Sequence, residues 1–191
     1  MSGPQILDAI KAAGIVGLGG AGFPTHVKLA PRNPEQIDYV IANGSECEPY
    51  ITCDDQLMRT RSDGIVEGMR LILRLFPNAK GVIAIEDNKP EAIAAMTKAC
   101  ASDSNISVLE VKAKYPEGGE RNLIGVVTGR QLRFGQLPAD LGCVVCNVSS
   151  LNAIYRAVCK SEPLMTRLFT VSGDAVVKPH TMEVRIGTSC R

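Results

Sequence analysis

Twelve residues near the N-terminus, Gly17-Leu18-Gly19-Gly20-Ala21-Gly22-Phe23-Pro24-Thr25-His26-Val27-Lys28, gather the means to hold an anion. Four glycines fall within six positions, and a lysine follows six residues after the last of them. Glycine takes positive φ readily and lets a ligand approach without a Cβ in the way. Consecutive amide N–H groups freed in this manner form an anion-binding concavity, to which a nearby lysine adds a full charge. A nucleotide phosphate is the natural guest. Gly17, Gly19 and Gly22 also spell G-x-G-x-x-G, a pattern that signals a dinucleotide site only where it follows a strand. Here the preceding Gln5–Ala13 carries Ile6, Ala9, Ile10 and Ala13 at helical spacing. The loop is therefore either a phosphate cradle or a structural turn, and other segments must decide between them.

Carboxylates and thiols supply the remaining chemistry. Glu46 and Glu48, in Asn43-Gly-Ser-Glu-Cys-Glu-Pro49, stand two apart and share a side if the segment is extended. Glu120 follows the pair Gly118-Gly119. A single loop carboxylate is usually a solvated charge; three of them beside glycines also suit ligand binding. Seven cysteines (Cys47, Cys53, Cys100, Cys143, Cys146, Cys159 and Cys190) form no regular framework and are expected reduced. Cys143-Val-Val-Cys146 lies in an apolar run without a second C-x-x-C. It reads as buried structural thiols, with a metal or redox pair as the alternative, and no metal site is assigned.

These residues need elements to position them. Ile37–Ala42, Gly81–Ile85, Ile106–Val111 and Cys143–Asn147 are short apolar runs expected as buried strands. Arg61–Phe76, Lys89–Ala101 and a segment from Glu120 through Val127 show helical character, and Ser149 or Ser150 is expected to cap a further helix to Cys159. Alternation of strand and helix implies an α/β fold with a mostly parallel sheet and helices on its faces. Leu168–Ser172 and Met182–Ile186 read as a small C-terminal β element. Asn43–Pro49, Tyr115–Glu120 and Cys146–Asn147 then leave strands at the same sheet edge, where such folds bind ligands. With the glycine loop they are expected to converge on one pocket.

Composition narrows the classes. The chain of 191 residues has a formal charge of +1, 4% aromatic residues and no tryptophan, which argues against a nucleic-acid surface. No apolar run approaches the roughly 18 residues of a membrane span, and Asp8 and Lys11 interrupt any leader-like segment. A cytoplasmic protein is expected.

Taken together, Gly17–Lys28 (GLGGAGFPTHVK), Asn43–Pro49 (NGSECEP) and Tyr115–Glu120 (YPEGGE) resemble the flavin and nicotinamide site of the subunit designated C in the Rnf electron-transport complex. That family is related to the FMN- and NADH-binding subunit of respiratory complex I. The resemblance continues through Leu137-Pro-Ala-Asp-Leu-Gly142, Asn147-Val148 and Ala153–Val158. It implies a Rossmann-like fold, with residues 1–160 as an FMN- and NADH-binding domain and 161–191 opening a β-rich element. Gly17, Gly19 and Lys28 would cradle the FMN phosphate. Asn43, Ser45, Glu46, Tyr115, Gly118, Gly119, Cys146 and Asn147 would line the flavin. Gly20, Phe23, Glu48 and Glu120 would meet the nicotinamide nucleotide.

The implied activity is hydride transfer between NADH and FMN, with no catalytic acid or base from the protein. Iron–sulfur clusters, a ferredoxin-like domain or protein, and other subunits of a complex peripheral to the cytoplasmic membrane would carry electrons onward. The family's N-terminal segment, complete β-grasp domain and ferredoxin-like domain are not in this sequence, so the clusters are expected outside it. Leu18, Ser45 and Gly119 stand where the complex I relative has arginine, aspartate and glutamate. Related members serve corrinoid and proline reductases, and a non-catalytic docking module is a further alternative.

Overall fold

The computed structural model describes residues 1–189; Cys190 lies outside them. Strands β1 (Tyr39–Gly44), β2 (Lys80–Glu86), β3 (Ile106–Val111) and β4 (Cys143–Asn147) form one parallel sheet in the order β3-β2-β1-β4. The helices are α1 (Gly3–Ala12), α2 (Thr25–Lys28), α3 (Cys53–Thr60), α4 (Ser62–Leu73), α5 (Pro90–Ala99), α6 (Glu120–Thr128) and α7 (Val148–Lys160). Strands covered on both faces need the near-continuous apolar runs seen in the sequence. Ile41, Ala84, Cys143 and Val145 pack on one face with Leu123 and Ile124 of α6. Val40, Ala42, Ile83, Ile85, Val144 and Cys146 pack on the other, with residues of α1, α4, α5 and α7. The α/β architecture expected from the alternating elements is the one observed.

Cys143 and Cys146 fall into these two separate cores. Burial pushes each thiol up to about 11. The C-x-x-C pair is thus split across the sheet and filled in as apolar packing, which the structural reading of these thiols describes.

Several boundaries differ from the sequence expectation. The first strand, expected over 37–42, runs over 39–44, because its pairing with both neighbours continues through Asn43. Two polar site residues are therefore part of the sheet or its immediate edge. Helix α3 has no counterpart in the expectations: only Leu57 and Met58 of its residues are buried, and its N-terminus is capped from outside the helix. Helix α7 is capped by Asn147, whose side-chain oxygen accepts from the Ser149 amide at 2.8 Å, rather than by Ser149 or Ser150.

Helices α4 and α7 approach backbone to backbone. A Cβ at Gly68 would lie 2.1 Å from the Leu151 carbonyl oxygen, so only glycine permits this packing. It fixes α7, and with it the end of β4, against the sheet. After α7, Ser161 takes a left-handed conformation and the chain enters an antiparallel ribbon, β5 (Thr166–Val171) and β6 (His180–Arg185). Both strands start two residues earlier than the sequence suggests. Glu183 fastens the ribbon by accepting from Arg61 and Arg156. Among the described residues no helix is long and apolar enough to cross a membrane.

Candidate functional site at the β1–β4 crossover

From β1 the chain steps outward to β2 and β3, then returns to place β4 on the opposite side of β1. The point where strand order reverses, between β1 and β4, is where an open α/β sheet leaves a crevice for ligands. Asn43 and Asn147 are register partners there. The Asn43 amide donates to the Gly118 carbonyl at 2.8 Å, while its oxygen accepts from the Ser45 N–H at 3.0 Å. One side chain thus joins the exits of β1 and β3. Gly118 is required for the contact, since a Cβ would lie 2.5 Å from the Ser45 carbonyl oxygen. Ser45 is buried, and its hydroxyl has no partner. Gly119 precedes α6 as its capping residue, and Tyr115 is largely exposed.

The glycine loop closes on the same crevice. Val16 and Pro24 form an antiparallel bridge, and the Gly17 N–H donates to the Phe23 carbonyl at 2.8 Å. Gly17 therefore shapes the turn instead of offering its amide to a phosphate. Leu18 is the pin: its N–H donates to Ser150 Oγ and its carbonyl accepts from Arg167, each at 2.8 Å. Beyond it Gly19, Gly20, Ala21 and Gly22 are exposed, and no hydrogen bond among the described residues uses their amides. Gly20 and Gly22 have φ of 134° and 64°, a region disfavoured for residues with a Cβ. Gly19 rests on Asn147, whose Cβ would be 3.2 Å from an added Cβ. Phe23 is half-exposed beside these glycines.

Lys28 reaches the end of β4 from α2. Its ammonium donates to the Val145 carbonyl at 3.0 Å and to Glu120 Oε1 at 2.8 Å. The family resemblance implies a phosphate for Lys28 and a nicotinamide nucleotide for Glu120; here the two form an ion pair. Both side chains are more than a third exposed, so the pair is worth little as a stabilising contact.

Glu46 and Glu48 do not share a side. Glu46 is buried and turned onto the N-terminus of α3, accepting from the Asp54 and Asp55 amides at 2.9 and 3.1 Å. A carboxylate satisfies the unpaired amides and positive end of a helix, so the residue expected at the flavin works as a cap. Glu48 remains exposed. The Cys146 side chain is buried in the core. The Asn147 side chain is committed at both ends, capping α7 and donating to Asp54 Oδ2 at 2.6 Å.

Asp54 is the residue that sequence reasoning missed. It accepts from Asn147 and from Ser149 Oγ, both at 2.6 Å. Burial pushes its carboxyl up to about 6, against the lowering effect of those two donors, and the Glu46 charge adds to the rise. Burial, aided by the Asp54 and Glu46 charges, also pushes the Cys53 thiol up to about 12. The adjacent Cys53-Asp54-Asp55 was the available signal, but nothing in a single sequence marks which acid is enclosed.

A cleft of about 630 Å³ opens on the other side of the β1 exit loop. Glu48, Tyr50, Glu86, Lys89, Lys114 and Tyr115 are among its walls, whereas Lys28, Asn147 and the glycine loop are not. Glu86 is buried against Lys89 at 3.0 Å, and Lys89 also donates to the Glu46 carbonyl, bracing that loop. The expected site residues thus divide into two groups around that loop.

The Nuo51 FMN-binding domain family matches residues 10–156. The subunit designated C in the Na(+)-translocating ferredoxin:NAD(+) oxidoreductase complex of Acetobacterium woodii is 47% identical over 184 residues, covering 94% of this chain and 42% of the relative. Its counterpart in the proton-translocating ferredoxin:NAD(+) oxidoreductase complex of Clostridium ljungdahlii is also 47% identical, covering 99% and 41% respectively. The counterpart in the ion-translocating oxidoreductase complex of Pseudomonas aeruginosa is 44% identical, covering 96% and 24%. The chain spans less than half the length of each. Among solved structures, an NAD+-reducing [NiFe]-hydrogenase in the H2-reduced state superimposes with a TM-score of 0.82 at 27% identity, over 98% of this chain and 38% of that one. With residues 10–156 matched, the chain belongs to the Nuo51 FMN-binding domain family.

Proposed function

We propose that this chain is the flavin-binding module of a ferredoxin:NAD oxidoreductase complex of the Rnf type, working between NAD(H) and FMN. The observation that carries the reading is the row of exposed, unclaimed amides at Gly19–Gly22, set beside the crossover between β1 and β4. The residues fit FMN in two further respects. Ser45 holds an unpartnered hydroxyl, and Lys28 supplies a cation beside the end of β4.

The Gly19–Gly22 amides and Lys28 hold the phosphate, Lys28 exchanging Glu120 for the ligand. Asn43, Ser45 and Gly118, with Tyr115 at the rim, line the ring system. Gly20, Phe23, Glu48 and the released Glu120 receive the nicotinamide nucleotide, Phe23 through its aromatic face and the acids by accepting hydrogen bonds. A bound flavin supplies the redox chemistry, exchanging a hydride with the nicotinamide and passing electrons onward. The protein's part is orientation of the two rings. A division into a flavin unit over 1–160 and the start of a β-rich element from 161 onward is supported by the left-handed turn at Ser161. Iron–sulfur centres, a ferredoxin-like partner and membrane-associated subunits would complete the path, with the module peripheral to the cytoplasmic membrane. Anaerobic addition of NADH to the FMN-loaded protein tests the reading: loss of flavin absorbance near roughly 450 nm is expected. An unchanged spectrum would rule out hydride exchange by this module.

A further inference from the structure

We propose that Asp54 is a positioning residue for the flavin site, its carboxylate holding Asn147 and Ser149 at the β4–α7 turn on which the glycine loop rests. The inference depends on the flavin reading for its ligand but rests on contacts of its own.

Three segments meet around Asp54, through its backbone amide and its carboxylate. Glu46 of the β1 exit loop grips the Asp54 amide at 2.9 Å. Asp54 then accepts from the Asn147 side chain and the Ser149 hydroxyl, each at 2.6 Å. Asn147 stands under Gly19, and Ser150, next in the same turn, holds the Leu18 N–H. Arg167 completes the ring by donating to the Leu18 carbonyl, and its charge favours the ionised form of Asp54. The anchors of the glycine loop and the end of β4 thus adjoin one partly buried acceptor.

The ionised state matters because both neighbours donate. A carboxylate accepts from Asn147 and Ser149 together, with charge-assisted strength. A protonated acid keeps one oxygen for Asn147 and can only reverse the Ser149 bond, so both contacts lose their charge-assisted strength. The charged or titratable groups facing Asp54 are Glu46 from the β1 loop, Arg167 from β5 and Cys53 on its own helix. With its carboxyl at about 6, Asp54 is ionised at neutral pH and protonated in mild acid. The glycine loop should therefore lose its alignment as pH falls through that value.

The test is FMN titration by fluorescence quenching between about pH 5 and pH 8, on the wild-type chain, Asp54→Asn and Asp54→Ala. A parallel NMR titration of the Asn147 side-chain amide uses the ligand-free protein. Wild-type affinity is expected to weaken about tenfold on acidification, while Asp54→Asn binds about tenfold more weakly at the upper pH and shows no step. The Asn147 amide should follow the same step in wild type and lose it in Asp54→Asn. The proposal is overturned if wild type and both variants share one affinity and one pH profile. An Asn147 amide that ignores Asp54 also overturns it. Failure of the wild type to bind FMN at any pH, with the Asn147 step intact, would overturn the flavin reading while supporting the positioning link.

Discussion

The Lys28 ammonium donates to Glu120 at 2.8 Å across 92 residues of sequence, tying the glycine loop's short helix to the first residue of α6. An anion entering the crevice competes with this partner for the Lys28 charge. Lys28→Ala should weaken FMN binding about tenfold, the effect of losing one charge-assisted contact. Glu120→Gln should leave FMN affinity equal or tighter and raise the concentration of NADH needed for flavin reduction. Titration of both variants with FMN, followed by NADH, checks the two halves separately. Weaker FMN binding by Glu120→Gln would mean that the carboxylate serves the flavin.

Gly118→Ala forces a methyl to 2.5 Å from a backbone carbonyl, which cannot swing aside as a side chain can. The variant should fold with the loops after β1 and β3 parted, lowering stability by about 1–3 kcal/mol. Flavin affinity should fall as well. Denaturant melts and FMN titration measure the two effects; wild-type values in both would refute the close approach.

Two carboxylates give stability opposite pH slopes in different windows. Glu183 is held down at about 2, chiefly by the Arg61 guanidinium and the Thr166 hydroxyl. Its contribution is complete above its ordinary 4.5 and is lost as pH falls through about 2. Asp54 is raised from 3.8 to about 6, so ionising it costs stability as pH rises through that interval, fully above about 6. Asp54→Asn should accordingly melt higher than wild type at neutral pH and gain less near pH 4, while Glu183→Gln should flatten the acid limb. Thermal melts across pH decide the matter. A variant Asp54→Asn that is equally destabilised at every pH would contradict the cost assigned to the buried charge.

The sheet was legible because parallel strands need apolar runs, and β3 and β4 fall where the runs are. Helix α3 was not, since its cap is the side chain of Glu46, seven residues before the helix begins, and its buried surface is only Leu57 and Met58. The same event removed Glu46 from the expected ligand set. Ser149 and Ser150 looked like helix caps by type; the fold instead gives Ser149 to Asp54 and Ser150 to Leu18. Residues chosen for their position at strand ends, such as Asn43 and Gly118, do meet. Where a side chain turns after a strand ends depends on neighbours that no local pattern encodes.

Burial and raised thiol values imply that Cys143 and Cys146 are unreactive in the native fold, whereas Cys159 is exposed. An alkylating reagent at neutral pH should modify Cys159 before Cys143 and Cys146, reaching those two only after unfolding. Mass spectrometry of brief labelling reads the order directly. Early modification of Cys146 would place its thiol in the crevice and not in the core.

Calorimetric titration with FMN and, separately, with riboflavin bears most directly on the anion cradle, because the two ligands differ only in the phosphate. Saturable FMN binding at micromolar or lower concentration, with riboflavin at least about tenfold weaker, is the predicted result. Equal affinity for the two, or no binding of FMN at all, would contradict it.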